Sequence, residues 1–271
     1  MISNNGIYYE LYGTGKPIVF IHGMDLDCRS MRAVYEPLPE LVNYRRIYID
    51  LPGMGKSKVS SEIKSDEILN SISTFIAEIT DSQPIVLVGH SYGGYLAAGL
   101  AHQLGSQITS LFLTCPVIEA DRRNRTVEQH QTYGDKQISV ATNQYTWFDD
   151  YYETNVKISD DTWNLYKKAI IPGLLSGSRF FKETLATGEN YPFSFDDELK
   201  ASYHPMNAEI LLGEYDNIVG YKDQQKLFSR MFDANIEVIA ESGHNLPIDQ
   251  RHVVRERLIN FLRTKDGEQS E

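Results

Sequence analysis

The stretch from Ile85 to Ala101 limits the fold more than any other part of the chain. Ile85-Val86-Leu87-Val88 is an uninterrupted apolar run. Gly89-His90-Ser91-Tyr92-Gly93 follows directly, and Gly94-Tyr95-Leu96-Ala97-Ala98-Gly99-Leu100-Ala101 reads as a helix. Apolar residues without alternation fit a strand buried on both faces. Where a strand passes into a helix through one tight turn, the two backbones approach closely and need small neighbours. Gly89 and Gly93 supply them, and Ser91 stands at the apex with its hydroxyl projecting from the sheet edge.

The rest of the chain repeats this rhythm. Ile7 to Tyr12 alternates and reads as an early, antiparallel strand. Ile18-Val19-Phe20-Ile21, Arg46 to Asp50 and Ser110 to Thr114 read as further strands. Between 65 and 80 the apolar residues Ile68, Leu69, Ile72, Phe75, Ile76 and Ile79 fall at helical spacing. Ser65 is the expected N-cap there, with Asp66 and Glu67 in the first turn. From about 118 to 205 no strand-like run appears, although both tryptophans, Trp147 and Trp163, lie in this segment. The alternation then resumes with Glu209 to Gly213, a helix from Lys222 to Phe232, a strand from Ile236 to Ile239 and a helix from Arg251 to Leu262. The polar tail from Thr264 is expected to fray. Alternating strands and helices imply an α/β fold, a doubly wound and mostly parallel sheet. The segment 118–205 is too long for a loop and reads as an inserted helical cap on a core of residues 1–117 and 206–271.

Composition removes several functions. A formal net charge of −11 repels phosphate, so a nucleic acid or an anionic membrane is not the expected partner. Neither Cys28 nor Cys115 belongs to a metal-spaced cluster, and no metal or organic cofactor is expected. No run approaches the length of a membrane span, and the first residues lack the features of a signal peptide. The expected setting is the cytoplasm, with reduced thiols. The oligomeric state is not legible in the sequence.

In an open α/β sheet the chemistry gathers beyond the carboxyl ends of the strands. The residues there are His22-Gly23-Met24, Ser91, Gly213-Glu214-Tyr215-Asp216 and Glu241-Ser242-Gly243-His244. Together with Asp50-Leu51-Pro52-Gly53-Met54-Gly55-Lys56-Ser57, these segments resemble the α/β-hydrolase superfamily over Ile18 to Leu262, with the inserted segment in the place of the family's cap. The resemblance implies an α/β-hydrolase fold and a serine hydrolase with the chain order Ser, Asp, His. Ser91 would be the nucleophile, His244 its base, and Asp216 the group that orients the ring. The amides of Met24 and Tyr92 would form the oxyanion hole. Asp196, Asp197, Asp249 and Glu214 are the competing acids. His22 is read as support for the oxyanion loop. His90 is read as packing, pointing away from the nucleophile as in family members. His102, His130, His204 and His252 are read as structural.

Tyr145, Trp147 and Tyr151 are the cap residues expected to reach a substrate pocket. Gly53 to Ser57 resembles the end of a phosphate-binding loop, but Asp50 stands where that motif needs its first glycine. Serine at 91 disfavours epoxide and haloalkane hydrolysis, and His22-Gly23-Met24-Asp25-Leu26 lacks the oxyanion-loop patterns of prolyl aminopeptidases, many lipases and ring-cleavage hydrolases. The expected activity is hydrolysis of a small or medium carboxylic ester. Carbon–carbon or amide hydrolysis by the same triad, and ligand binding without catalysis, remain open alternatives.

Overall fold

The computed structural model describes residues 1–134, 138 and 145–268. Its centre is a seven-stranded sheet built from β1 (Tyr9–Tyr12), β2 (Lys16–Ile21), β3 (Tyr44–Ile49), β4 (Ile85–His90), β5 (Ile108–Thr114), β8 (His204–Gly213) and β9 (Phe232–Ile239). The spatial order is β1-β3-β2-β4-β5-β8-β9. Only β1 runs antiparallel, against β3 with Tyr9 opposite Ile49; all other pairs are parallel. Ile18, Val19, Phe20 and Ile21 are all fully buried, because helices cover both faces of the sheet. The connections run through α1 (Cys28–Tyr35), α2 (Ser65–Thr80), α3 (Tyr92–Leu104) and α9 (Lys222–Met231), and α10 (Leu246–Asp249) and α11 (Arg251–Glu268) close the chain.

Between β5 and β8 lie β6 (Tyr133–Gly134), α4 (Tyr145–Thr154), β7 (Lys157–Ile158), α5 (Asp160–Ala169), α6 (Ile171–Leu174), α7 (Arg179–Leu185) and α8 (Asp196–Ala201). Among the described residues of this segment the longer elements are helices, but β6 and β7 pair as a small parallel sheet that no apolar run announces. Tyr151, Trp163 and Tyr166 form an apolar cluster with Leu26 and Ile248. Phe181, Leu185, Tyr191, Phe193 and Leu199 join the main core instead. The last third of the segment between β5 and β8 therefore sinks into the main core.

Several elements depart from their sequence limits for local reasons. Ser65 is not the N-cap of α2: Lys64 occupies that position without a side-chain bond. The Ser65 hydroxyl is held by the Tyr92 hydroxyl and the Tyr191 carbonyl, a buried site that leaves nothing for capping. The strand β8 begins at His204 because Met206 and Ala208 turn inward while Pro205 and Asn207 face out, the alternation of a half-buried strand. β9 likewise begins at Phe232 and ends α9 one residue early. α11 continues through Thr264 to Glu268, with the Thr264 hydroxyl donating to the Asn260 carbonyl 3.0 Å away, and the last three residues of the tail lie outside the described residues.

Candidate active site

β4 ends in the turn that carries Ser91. Its backbone, at φ 54° and ψ −119°, lies where residues with a side chain are strained. The surroundings hold it there. The Ser91 amide donates to the Thr114 carbonyl at 3.1 Å, and the Ser91 carbonyl accepts from Gly94 at 2.9 Å and from Val117 at 3.0 Å. A Cβ at Gly93 would stand 2.2 Å from the Ile21 carbonyl oxygen, and one at Gly89 would stand 2.7 Å from the Gly93 carbonyl oxygen. Only glycine lets β2, β4 and α3 meet this closely.

Three strand-end loops then converge. Ser91 Oγ lies 2.8 Å from His244 Nε2, and His244 Nδ1 lies 2.9 Å from Asp216 Oδ2. Asp216 is fully buried, and its other oxygen accepts from the amides of Ile218 and Val219, each at 2.9 Å. Burial alone would push its carboxyl up. The His244 ring and those two amides outweigh that and hold it below the ordinary carboxylate range. An ionised Asp216 favours the tautomer with the proton on Nδ1, which leaves Nε2 free to accept from Ser91. Three of the competing acids, Asp196, Glu214 and Asp249, are engaged elsewhere, and His244 Nδ1 bonds Asp216 rather than Asp197. Asp196 accepts from Tyr95 and pairs with Lys200, Glu214 accepts from the Glu241 amide, and Asp249 binds the amides on either side of a different junction.

The loop after β2 packs against this turn, and a Cβ at Gly23 would come within 3.2 Å of Ser91 Cβ. His22 braces it. The fully buried ring bonds the Gly23 carbonyl through Nδ1 at 2.7 Å and accepts from the Leu51 amide through Nε2 at 3.0 Å. Burial holds its pKa below the usual value, so it serves as a neutral strut. Among the described residues neither the Met24 nor the Tyr92 amide has an acceptor. The reading of His90 as a ring turned away from Ser91 needs correction. His90 lines the same cavity as Ser91, with its ring centre 5.2 Å from that of His244. Its Nδ1 reaches the Thr114 carbonyl at 3.1 Å. Burial, then the neighbouring His244, pushes its pKa down to about 3.

A cavity of about 410 Å³ opens over Ser91 and His244. Met24, Ile170, Leu174, Tyr191, Ile218 and Val219 supply much of its apolar wall, and Arg122, Arg125, Asp150 and Asn245 supply polar groups. Trp147 and Tyr151, the expected cap contacts, do not line it. Tyr151 is fully buried, its hydroxyl 2.6 Å from Thr162 and its ring 5.2 Å from Trp163, and Trp147 packs on the same cluster. These aromatics bury one another because a thin layer of short helices needs a core of its own. The side chain of Tyr145 lies outside the described residues. Some of the wall residues missed in the sequence come from loops, such as Ile218 and Val219, and others from short helices, such as Asp150 on α4 and Leu174 on α6, too short for periodicity to mark an inward direction.

Among the described residues, two groups offer metal-ligating atoms close together: Cys115 with Asp216 and His244, and Asp27 with Cys28 and Asp50. The donors of both are engaged within the chain. Asp216 and His244 serve each other. Asp50 accepts from the amides of Cys28 and Lys56, both at 2.7 Å, and Asp27 pairs with Arg29. Burial and the adjacent carboxylates raise the Cys28 thiol. The turn at Gly53 to Ser57 is organised around Asp50, which accepts from the Lys56 amide through its carboxylate and from the Ser57 hydroxyl through its carbonyl. No described helix is long and apolar enough to cross a membrane.

The model of the alpha/beta hydrolase family matches residues 18–257. The chain belongs to the alpha/beta hydrolase family. A solved alpha/beta superfamily hydrolase from Oenococcus oeni PSU-1 is 38% identical, with a TM-score of 0.92 and 97% of each chain covered. The uncharacterized hydrolase YugF of Bacillus subtilis is 23% identical over 280 residues, covering 95% of this chain and 94% of its own length. An esterase from Exiguobacterium antarcticum shares the fold, with 19% identity, a TM-score of 0.72 and 95% of each chain covered.

Proposed function

We propose that this protein is a serine hydrolase that cleaves a small or medium carboxylic ester through an acyl-enzyme on Ser91. The observation that carries this reading is the unbroken hydrogen-bonded chain from Ser91 Oγ through His244 to Asp216. An alcohol is a weak nucleophile at neutral pH and needs a base at hydrogen-bond distance. Ser91 Oγ attacks the ester carbonyl carbon as its proton passes to His244 Nε2. The carbonyl π electrons move onto oxygen, which the free amides of Met24 and Tyr92 receive. Collapse of the intermediate breaks the ester C–O bond, and the leaving alkoxide takes the proton from His244. Water then repeats the sequence on the acyl-enzyme and releases the acid. Asp216 stays ionised throughout and stabilises the imidazolium.

The cavity, at about 410 Å³, sits at the lower end of ligand pockets, which supports a small or medium acyl group. The cytoplasm is the proposed compartment, supported by two unpaired, buried thiols. A panel of p-nitrophenyl esters of increasing acyl length tests the proposal. Turnover of the short esters that disappears in Ser91→Ala is expected; turnover that survives this substitution at the wild-type rate refutes it.

A further inference from the structure

His244 stands in an irregular turn between β9 and α10, so something other than regular structure must hold its ring. Asp249, at the end of α10, folds back onto this turn. Its carboxylate accepts from the Gly243 amide at 2.9 Å. It also accepts from Asn155 Nδ2 at 3.0 Å, from the Lys157 amide at 3.0 Å and from the Val156 amide at 3.2 Å. Asn245, on the other side of His244, donates to Asn155 Oδ1 at 2.9 Å and to Thr154 Oγ1 at 3.2 Å. A Cβ on Gly243 would strike Val156 Cγ2 at 2.8 Å, so the His244 turn and the α4–β7 link are also in tight contact. The same link continues from α4, whose Asp150 and Thr154 line the cavity over Ser91.

We propose that Asp249 is a positioning residue whose carboxylate joins the His244 turn to the α4–β7 link, so that the catalytic ring and one cavity wall are set together. The inference rests on the reading of His244 as the base for Ser91. Four N–H groups from two separate segments converge on one acceptor, and only an ionised carboxylate offers acceptors alone. Asparagine would turn an N–H against other N–H groups. Among the described residues the groups facing the Asp249 carboxylate are the neutral N–H donors of Gly243, Lys157, Asn155 and Val156, and burial pushes its carboxyl up to about 6. A buried charge is a poor source of stability, which fits retention for geometry.

The test compares wild-type protein with Asp249→Asn in three readouts. They are the rate of Ser91 labelling by a fluorophosphonate, the downfield proton resonance of His244 Nδ1–H, and amide exchange by segment. The expected result is labelling slowed by roughly tenfold or more per folded molecule, a displaced or broadened resonance, and faster exchange in 153–158 and 241–246 together. Exchange in β4 and α3 should stay unchanged, which a purely structural weakening would not give. Labelling at the wild-type rate, or faster exchange in one of the two segments alone, overturns the proposal. If Asp249→Asn does not fold, Asn155→Ala, which leaves the three backbone donors in place, is measured in the same three ways, and the same results support or overturn the proposal. Wild-type protein that takes no adduct at Ser91 overturns the reading of the triad instead, and the exchange readout still decides whether Asp249 couples the two segments.

Discussion

His90 makes a quantitative prediction about acid stability. The ring is buried beside His244, and its pKa is pushed down to about 3 from the usual 6.5, first by burial and then by His244. In the unfolded chain it titrates normally. Below pH 6.5 the unfolded state therefore binds a proton that the folded state refuses, and stability is lost as pH falls toward the folded value. The slope is about 1.4 kcal/mol per pH unit, and between about pH 7 and pH 4.5 the loss amounts to roughly 2.5 kcal/mol. Asp249 acts in the opposite sense. Its folded carboxyl, pushed up to about 6 from 3.8, binds a proton before the unfolded one does, so acidification through that window adds stability. The two slopes partly cancel in wild-type protein, and the contribution of His90 must be isolated by difference. His90→Gln keeps an N–H that can reach the Thr114 carbonyl but removes the titration. Urea unfolding of both proteins at the two pH values is the assay. The stability of the variant relative to wild type is expected to rise by roughly 2.5 kcal/mol on going to the lower pH. A difference that stays constant with pH refutes the burial argument for His90.

Further outcomes follow from the same geometry. Asp216→Asn, which keeps the shape but loses the charge that sets the His244 tautomer, should lower kcat/KM for a short ester by about 10⁴-fold while the protein stays folded; a loss under tenfold contradicts the assigned role. Gly93→Ala should cost about 2 kcal/mol or more in thermal unfolding, because the added Cβ meets the Ile21 carbonyl oxygen; wild-type stability would contradict the close approach. Ile218→Trp should raise KM for longer acyl esters by roughly tenfold, whereas Tyr151→Phe should cost about 1 kcal/mol of stability and leave KM unchanged. The reverse pattern would put the cavity wall back at Tyr151.

The sheet was legible because strands buried on both faces leave unbroken apolar runs, as in Ile18 to Ile21 and Ile85 to Val88. The meeting of Ser91, Asp216 and His244 was legible because each follows a strand, and parallel strands bring their carboxyl ends to one edge. The antiparallel β1 was equally visible in its alternation. Elements that depend on contacts distant in sequence were not. The hydroxyl of Ser65 looks like a cap until the fold brings Tyr92 and Tyr191 to it. Tyr151 and Trp147 look like pocket residues because an aromatic residue carries no mark of which apolar space it will fill. Asp249 looked like a possible triad acid, and its link to Asn155 spans ninety-four positions.

The central claim is that Ser91 is an activated nucleophile. The most direct measurement is fluorophosphonate labelling of the folded protein followed by peptide mass mapping. The account predicts one stoichiometric adduct on Ser91, lost in His244→Ala although that variant remains folded. An adduct elsewhere, or labelling of Ser91 that persists at the wild-type rate without His244, would contradict it.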